Sequence, residues 1–406
     1  MSCNFRRIAA AALAVAALSA SAISAPAASA AGAAPAKTSP HASPHASPHV
    51  SPKTSHGVDT AKLDKVIADT LRTTGVPGAV VGLWIPGKVN YVRTFGIADK
   101  KTHAPMSANM NFRIGSETKT FTATAILRLV DQGKVKLDDP ISRYVSGVPG
   151  GNKITLRQLA EMRSGLFSYS MDDAFVKALL TNPNRVFTPQ ELLAYAFKHP
   201  AMFKPGAKFF YSNTNYILLG LVVEKVSGQK LRDFIKHQVL DPAHMRHTVF
   251  PVGAEFPSPH PRGYTDQTLS GKTVDATNWD PTWGWAAGAM ISNLHDLHTW
   301  ARVLATGTLL KPATQKERLR LLPTGFPGTG YGLGILKDHG WIGHNGSLPG
   351  YQSLTLYLPE QKATLVVLLN TDISYKGYEP TTLFGKAITT IATPGNVYSL
   401  PAPPRQ

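Results

Sequence analysis

The chain has 406 residues, 43% of them hydrophobic, with 42 Lys and Arg against 25 Asp and Glu and a formal net charge of +17. That length and apolar content are enough for one large core, so stability does not call for a disulfide scaffold. The only cysteine, Cys3, lies in an N-terminal segment predicted to be removed, which excludes cysteine nucleophiles, zinc–thiolate sites and iron–sulfur clusters, and the basic residues are too scattered to form a nucleic-acid-binding arm.

Residues 1–30 read as a signal peptide. Arg6 and Arg7 precede an alanine-rich apolar run from Ile8 to Ile23, and Ala28-Ser29-Ala30 offers small residues to a signal peptidase. The run is short for a spanning helix and no longer one follows, so the mature chain is expected to be secreted, with no transmembrane anchor. Outside a cell, a basic protein meets anionic cell-wall polymers before nucleic acid, and such polymers are the expected macromolecular partner. Residues 31–56 carry tandem Ser-Pro-His-Ala units, read as an extended tether. The alternative, a metal site at His41, His45 and His49, would have to overcome the entropy of ordering that segment.

The folded domain is expected over 57–402. Leu63, Val66, Ile67 and Leu71 fall at helical spacing after Asp59, and the pattern stops near Gly75. Residues 79–85 and 89–98 read as a hairpin around Pro86-Gly87. Helical patterns then dominate, as at Phe121 to Gln132, Pro189 to Phe197 and Tyr216 to Val226, and the inserted helical subdomain is placed at about 111–280. Strand patterns return at Gly340 to His344, Ser353 to Leu358 and Thr364 to Asn370, with a last helix at Thr381 to Ile391. The predicted class is α+β: an antiparallel sheet built from both chain ends, flanked by helices, with a helical insertion and a site in the crevice between the two parts.

Three patterns carry chemistry, in this order: Ser116-x-x-Lys119, Tyr211-Ser212-Asn213 and His344-Asn345-Gly346-Ser347. Ser116 opens an apolar helix, where the helix N-terminus favours a developing oxyanion, and Lys119 shares its face one turn later. A free lysine, with a pKa of about 10.4, is a poor base at neutral pH, so the site must lower it through burial and cationic neighbours such as His344. Tyr211 would act as a base only if an ammonium such as Lys119 stabilised its phenolate, and the residues leave open which of the two takes the serine proton. Asn213 can both donate to and accept from an amide, and Gly346 would let substrate approach the backbone. Trp283 and Trp285 are expected to wall the cleft. A second Ser-x-x-Lys, at Ser227 and Lys230, ends a helix at Gly228 and is read as punctuation. His295 and His298 are three apart without a supporting ligand pattern, so neither a metal nor a cofactor is expected.

This set and order of motifs resemble the penicillin-recognising serine hydrolases, comprising serine β-lactamases and low-molecular-weight D-alanyl-D-alanine carboxypeptidases. The resemblance covers about 57–395 and includes Ser164-Gly165-Leu166, Lys204-Pro205-Gly206, Ala287-Gly288-Ala289 and Tyr331-Gly332-Leu333-Gly334. It implies an acyl-enzyme on Ser116, with Lys119, Tyr211 and His344 as catalytic groups and an oxyanion hole made by the backbone N–H groups of Ser116 and Ser347. It also implies substrate contacts from Asn213, Gly346, Ser347, Trp283 and Asn345. The expected substrate is a small peptide, β-lactam or ester. A D-Ala-D-Ala carboxypeptidase-like peptidase leads, with β-lactamase, D-amino-acid amidase or esterase as alternatives, and a non-catalytic wall- or penicillin-binding protein as a remote one. The chain departs from the carboxypeptidase pattern at Leu336, where many of those enzymes place an arginine, and at Asn345, where threonine is commoner. Lys337 follows Leu336, but on a strand its side chain would face the other way.

Overall fold

The computed structural model describes residues 57–401, so the predicted signal segment and the Ser-Pro-His tether lie outside the described residues. The first helix, α1 (Thr60–Thr74), starts where the Asp59 carboxylate accepts from the Lys62 N–H at 3.0 Å, an N-cap worth about 1 kcal/mol. The hairpin follows as β1 (Gly78–Ile85) and β2 (Val89–Gly96), then the short β3 (Asn111–Arg113).

Helices α2 (Thr118–Asp131), α3 (Leu156–Ala160), α4 (Asp173–Thr181), α5 (Pro189–Phe197), α6 (Asn213–Ser227) and α7 (Leu231–Ile235) form the insertion. Local chemistry sets their limits. Thr188 and Glu191 make a capping box with Pro189 in the first turn of α5. At the end of α6 the Ser227 hydroxyl donates to the Val223 carbonyl at 2.6 Å and Gly228 caps the helix, so the second Ser-x-x-Lys is spent on a helix terminus.

The helical subdomain is narrower than expected. Residues 111–113 pair with β6 (Ile291–Asn293), and the stretch between the insertion and α8 (Trp285–Gly288) holds two short strands, β4 (Tyr264–Thr265) and β5 (Val274–Asp275). This stretch contributes Gln267 and Trp283 to the cleft wall.

After α9 (Leu294–Thr306) and α10 (Pro312–Arg318) come β7 (Leu322–Pro323), β8 (Thr329–Tyr331), β9 (Leu336–Asp338), β10 (Trp341–Leu348), β11 (Tyr351–Leu358), β12 (Ala363–Leu369) and α11 (Pro380–Ala392). The main sheet has eight strands in the order β2-β1-β12-β11-β10-β9-β8-β7, with every pair antiparallel. Strand β1 pairs β12 across Ala79↔Leu369 to Trp84↔Thr364, so both ends of the chain do build one sheet. Leu365 to Leu369 are fully buried; each such aliphatic side chain contributes about 1.5–3 kcal/mol. Helices cover this sheet, and α1 packs on α11.

Strand β10 is longer than the predicted Gly340 to His344. It pairs with β9 only as far as Gly343↔Leu336, whereas its other edge stays paired with β11 through Leu348↔Tyr351. From His344 onward one edge of β10 is therefore unpaired by strand, and the turn that carries Ser116 lies against it.

Candidate active site

Ser116 sits in a 3₁₀ turn, Gly115–Glu117, immediately before α2. Gly115 has φ 51°, and a Cβ there would lie 2.6 Å from the backbone nitrogen of Ser347. A Cβ on Gly346 would lie 1.9 Å from the Ile114 carbonyl oxygen. Both glycines are needed for the turn and the strand to touch backbone to backbone. This brings the Ser347 nitrogen beside the turn whose free N-terminal N–H groups include that of Ser116. The Ser353 hydroxyl on β11 donates to the Ile114 carbonyl at 2.9 Å and ties the turn to the sheet.

Lys119 is fully buried, with Nζ 2.9 Å from Ser116 Oγ and 2.7 Å from the Ala287 carbonyl oxygen. Burial alone drives its pKa well below the ordinary lysine value, which favours the neutral amine. The carbonyl can only accept, so one N–H of Lys119 is committed to Ala287. Nζ also lies 4.8 Å from the centre of the Tyr211 ring.

Tyr211 is pushed the other way. Burial raises its pKa well above the usual phenol value, and the Ser116 hydroxyl is the neighbour that eases its ionisation. No protein group partners Tyr211 Oη with good hydrogen-bond geometry. Burial thus pushes the two groups in opposite directions, Lys119 down and Tyr211 up. The expected cationic help from His344 does not exist. Burial first, then Lys119, lowers the imidazole to about 3. Its Nδ1 faces the Asn345 carbonyl and its Nε2 lies 3.0 Å from Tyr331 Oη. The imidazole is a neutral wall 6.2 Å, ring to ring, from Tyr211.

Asn213 opens α6 and donates from Nδ2 to Ser170 Oγ at 3.0 Å, and its backbone N–H donates to Ser168 Oγ at 3.1 Å. It lines a cleft of about 480 Å³ together with Ser116, Tyr169, Gln267, Trp283 and Ser347. Trp283 is thus in the cleft wall, and its carbonyl accepts from the Tyr169 hydroxyl at 2.6 Å. Trp285 is not in this wall: its ring packs against Gly220 of α6, on the far side of α8. Asn345 is not a cleft residue either. Alternation along β10 sends its side chain to the face opposite His344, where Nδ2 donates to Glu379 at 2.8 Å. Gly346 contributes by having no side chain, and Ser347 Oγ is buried without a partner. Leu336 is buried on β9 and Lys337 is exposed, facing opposite ways as expected.

Tyr169, Ser170 and Gln267 escaped the sequence reading. They lie in irregular segments with no periodicity, and only Ser164-Gly165-Leu166 upstream pointed towards the first two. Glu117, next to Ser116, is buried and raised to about 8, mainly by desolvation.

A family model described as Beta-lactamase matches residues 63–384, a span that includes every motif above. The chain belongs to the beta-lactamase family.

Among curated relatives of this beta-lactamase-family chain, Protein flp from Staphylococcus aureus (strain N315) is 30% identical over 77% of the chain, which spans only 64% of that relative. The Putative penicillin-binding protein PbpX from Bacillus subtilis (strain 168) is 27% identical over 78% of the chain and 76% of its own length. Among solved structures, a D-stereospecific amidohydrolase from Streptomyces sp. superposes with TM-score 0.75 at 31% identity, covering 83% of this chain and 99% of its own. The D-amino acid amidase from Ochrobactrum anthropi SV3, complexed with L-phenylalanine amide, gives TM-score 0.72 at 28% identity, covering 82% and 98%. The fold and the serine-hydrolase class are those of this family.

Proposed function

We propose that this beta-lactamase-family protein is a serine amidohydrolase that cleaves amides of D-amino acids lacking a free α-carboxylate, through an acyl-enzyme on Ser116. The observation that carries this reading is the chemistry of the cleft wall: Tyr169, Ser170, Asn213, Gln267, Trp283 and Ser347 offer hydroxyl, amide and aromatic groups, and among the described residues no charged side chain lines it. The free carboxylate of a D-Ala-D-Ala peptide would enter this wall without a cation, losing the bidentate pairing an arginine supplies. Leu336 stands where an arginine would provide that clamp. A carboxamide end needs no such cation, and the buried Ser347 Oγ, without a partner among the described residues, belongs to a residue lining the cleft. The D-stereospecific amidohydrolase among the solved neighbours supports the same substrate class.

The cycle follows from the protonation states. Lys119 takes the Ser116 proton as Oγ adds to the carbonyl, and the oxyanion faces the backbone N–H groups of Ser116 and Ser347. Collapse breaks the C–N bond while Tyr211 gives its proton to the departing amine and regains one from the Lys119 ammonium. Water then adds to the acyl-enzyme by the same route and releases the acid. On this reading the chain works outside the cell, exported by its Arg6-Arg7 and Ile8 to Ile23 segment.

Turnover of D-phenylalanine amide, its L enantiomer, a D-Ala-D-Ala peptide, a cephalosporin and a short-chain ester by one preparation tests the proposal. The D-amide should be preferred over its enantiomer and over the free-carboxylate peptide. Faster cleavage of the D-Ala-D-Ala peptide would restore the carboxypeptidase reading, and faster cephalosporin or ester turnover would replace the amidase reading.

A further inference from the structure

A surface groove with about 1340 Å³ of empty space lies at the end of the sheet away from Ser116. It is bounded by the β1–β2 turn, the start of β12 and the outer part of α9. On β11, Ser353 touches the catalytic turn while Tyr357, four residues on, lines the groove, a separation of about 13 Å along the strand. Lys88, Arg302 and Lys362 line it from three separate elements, together with Trp84, His298 and Tyr357, and no carboxylate does. All three cations are exposed. None of the three forms an ion pair among the described residues; Lys88 Nζ only approaches Gln361 Oε1 at 3.4 Å.

We propose that this groove binds a linear anionic polymer of sugar or polyol units, independently of the catalytic cleft. Each exposed cation alone would hold a small anion weakly, because water and salt screen it. Three of them around one groove favour a ligand that presents several charges on one chain, for which each further contact is effectively intramolecular. The aromatic surface argues against single-stranded nucleic acid, which needs open ring faces for its bases. One face of Trp84 is already covered by His298, with ring centroids 3.8 Å apart, and Tyr357 is 7% exposed. Edges and short apolar strips remain, which suit saturated units better than bases.

The test is titration of the protein with poly(glycerol phosphate) and with polygalacturonate at low and at 0.3 M salt, with oligo(dT) of matched charge as a third arm. At least one of the first two should bind with salt-sensitive affinity, their ratio telling phosphate from carboxylate recognition. The triple variant K88E/R302E/K362E, or K88Q/R302Q/K362Q if charge reversal impairs folding, should lose at least about tenfold in affinity. Labelling of Ser116 by a fluorescent penicillin and the melting temperature should stay as in the wild type. Unchanged affinity in the triple variant, absence of binding by both polymers, or tighter binding of oligo(dT) would overturn the proposal. Any of these would leave the Ser116 chemistry untouched.

Discussion

The Ala287 carbonyl oxygen lies 2.7 Å from Lys119 Nζ, which also lies 2.9 Å from Ser116 Oγ. This contact takes up one N–H of Lys119 and fixes Nζ beside the serine hydroxyl. Helix α8 supplies that carbonyl from its four residues, Trp285–Gly288, and the same segment lines the substrate cleft through Ala287 and Gly288. Base orientation and cleft shape therefore depend on one short piece of backbone.

The nucleophile is tested first. A fluorescent penicillin should form a covalent adduct with the wild type that survives denaturing electrophoresis, and Ser116→Ala should give none. Amide turnover by the variant should fall by about 10⁴–10⁶-fold. Equal labelling of both proteins would place the nucleophile elsewhere.

Lys119→Met should abolish turnover yet raise the melting temperature. Burial holds the folded-state pKa of Lys119 below its unfolded value, so between the two values the unfolded chain binds the extra proton and stability rises with pH. Removing the amine removes that penalty, a gain of about 1–2 kcal/mol of the kind seen when active-site groups are replaced. Calorimetry should show a smaller rise in stability with pH in the variant. Activity follows the same direction: turnover should be lost as falling pH protonates the amine.

Gly346→Ala should keep most of the fold and lose catalysis. The added methyl would meet the Ile114 carbonyl at 1.9 Å, forcing the Ser116 turn away from β10 and spoiling the oxyanion site. Loss of one such donor costs about 10²–10³-fold in kcat. A variant with wild-type kcat would show that the turn does not need this contact.

Glu117→Gln should change how stability depends on pH. The folded state raises this carboxyl from 4.5 to about 8, so between those values the native protein holds a proton that the unfolded chain has released. Stability from this group is present below pH 4.5 and is lost as pH rises to about 8. Glutamine mimics the protonated acid at every pH. Urea unfolding at pH 5 and pH 8 should therefore show a smaller drop in the variant than in the wild type.

The layout of the fold was legible in the sequence because its signals are local. The hairpin around Pro86-Gly87 and the apolar runs of β11 and β12 are period-two and buried-strand patterns, and the limits of α1, α5 and α6 are written in Asp59, Thr188 and Gly228. The limits of the insertion were not legible: β3 is three residues long and exists only because β6 pairs with it. Asn345 misled for a related reason. Its place in the His-x-Gly motif suggested substrate contact, whereas the pleat turns it towards Glu379 once β10 runs through to Leu348.

By itself the sequence determined which residue types stand in which order: a serine and a lysine one helical turn apart, then Tyr211 with Asn213, then His344 with Gly346. Covalent spacing settles the first pair, since residues three apart on a helix share a face whatever surrounds them. Only the tertiary structure decided which of them lie together and how far each is shielded from water. Lys119 and Tyr211 shift in opposite directions because both are buried away from water, His344 is neutral for the same reason, and burial is a property of the packed chain that local spacing does not encode.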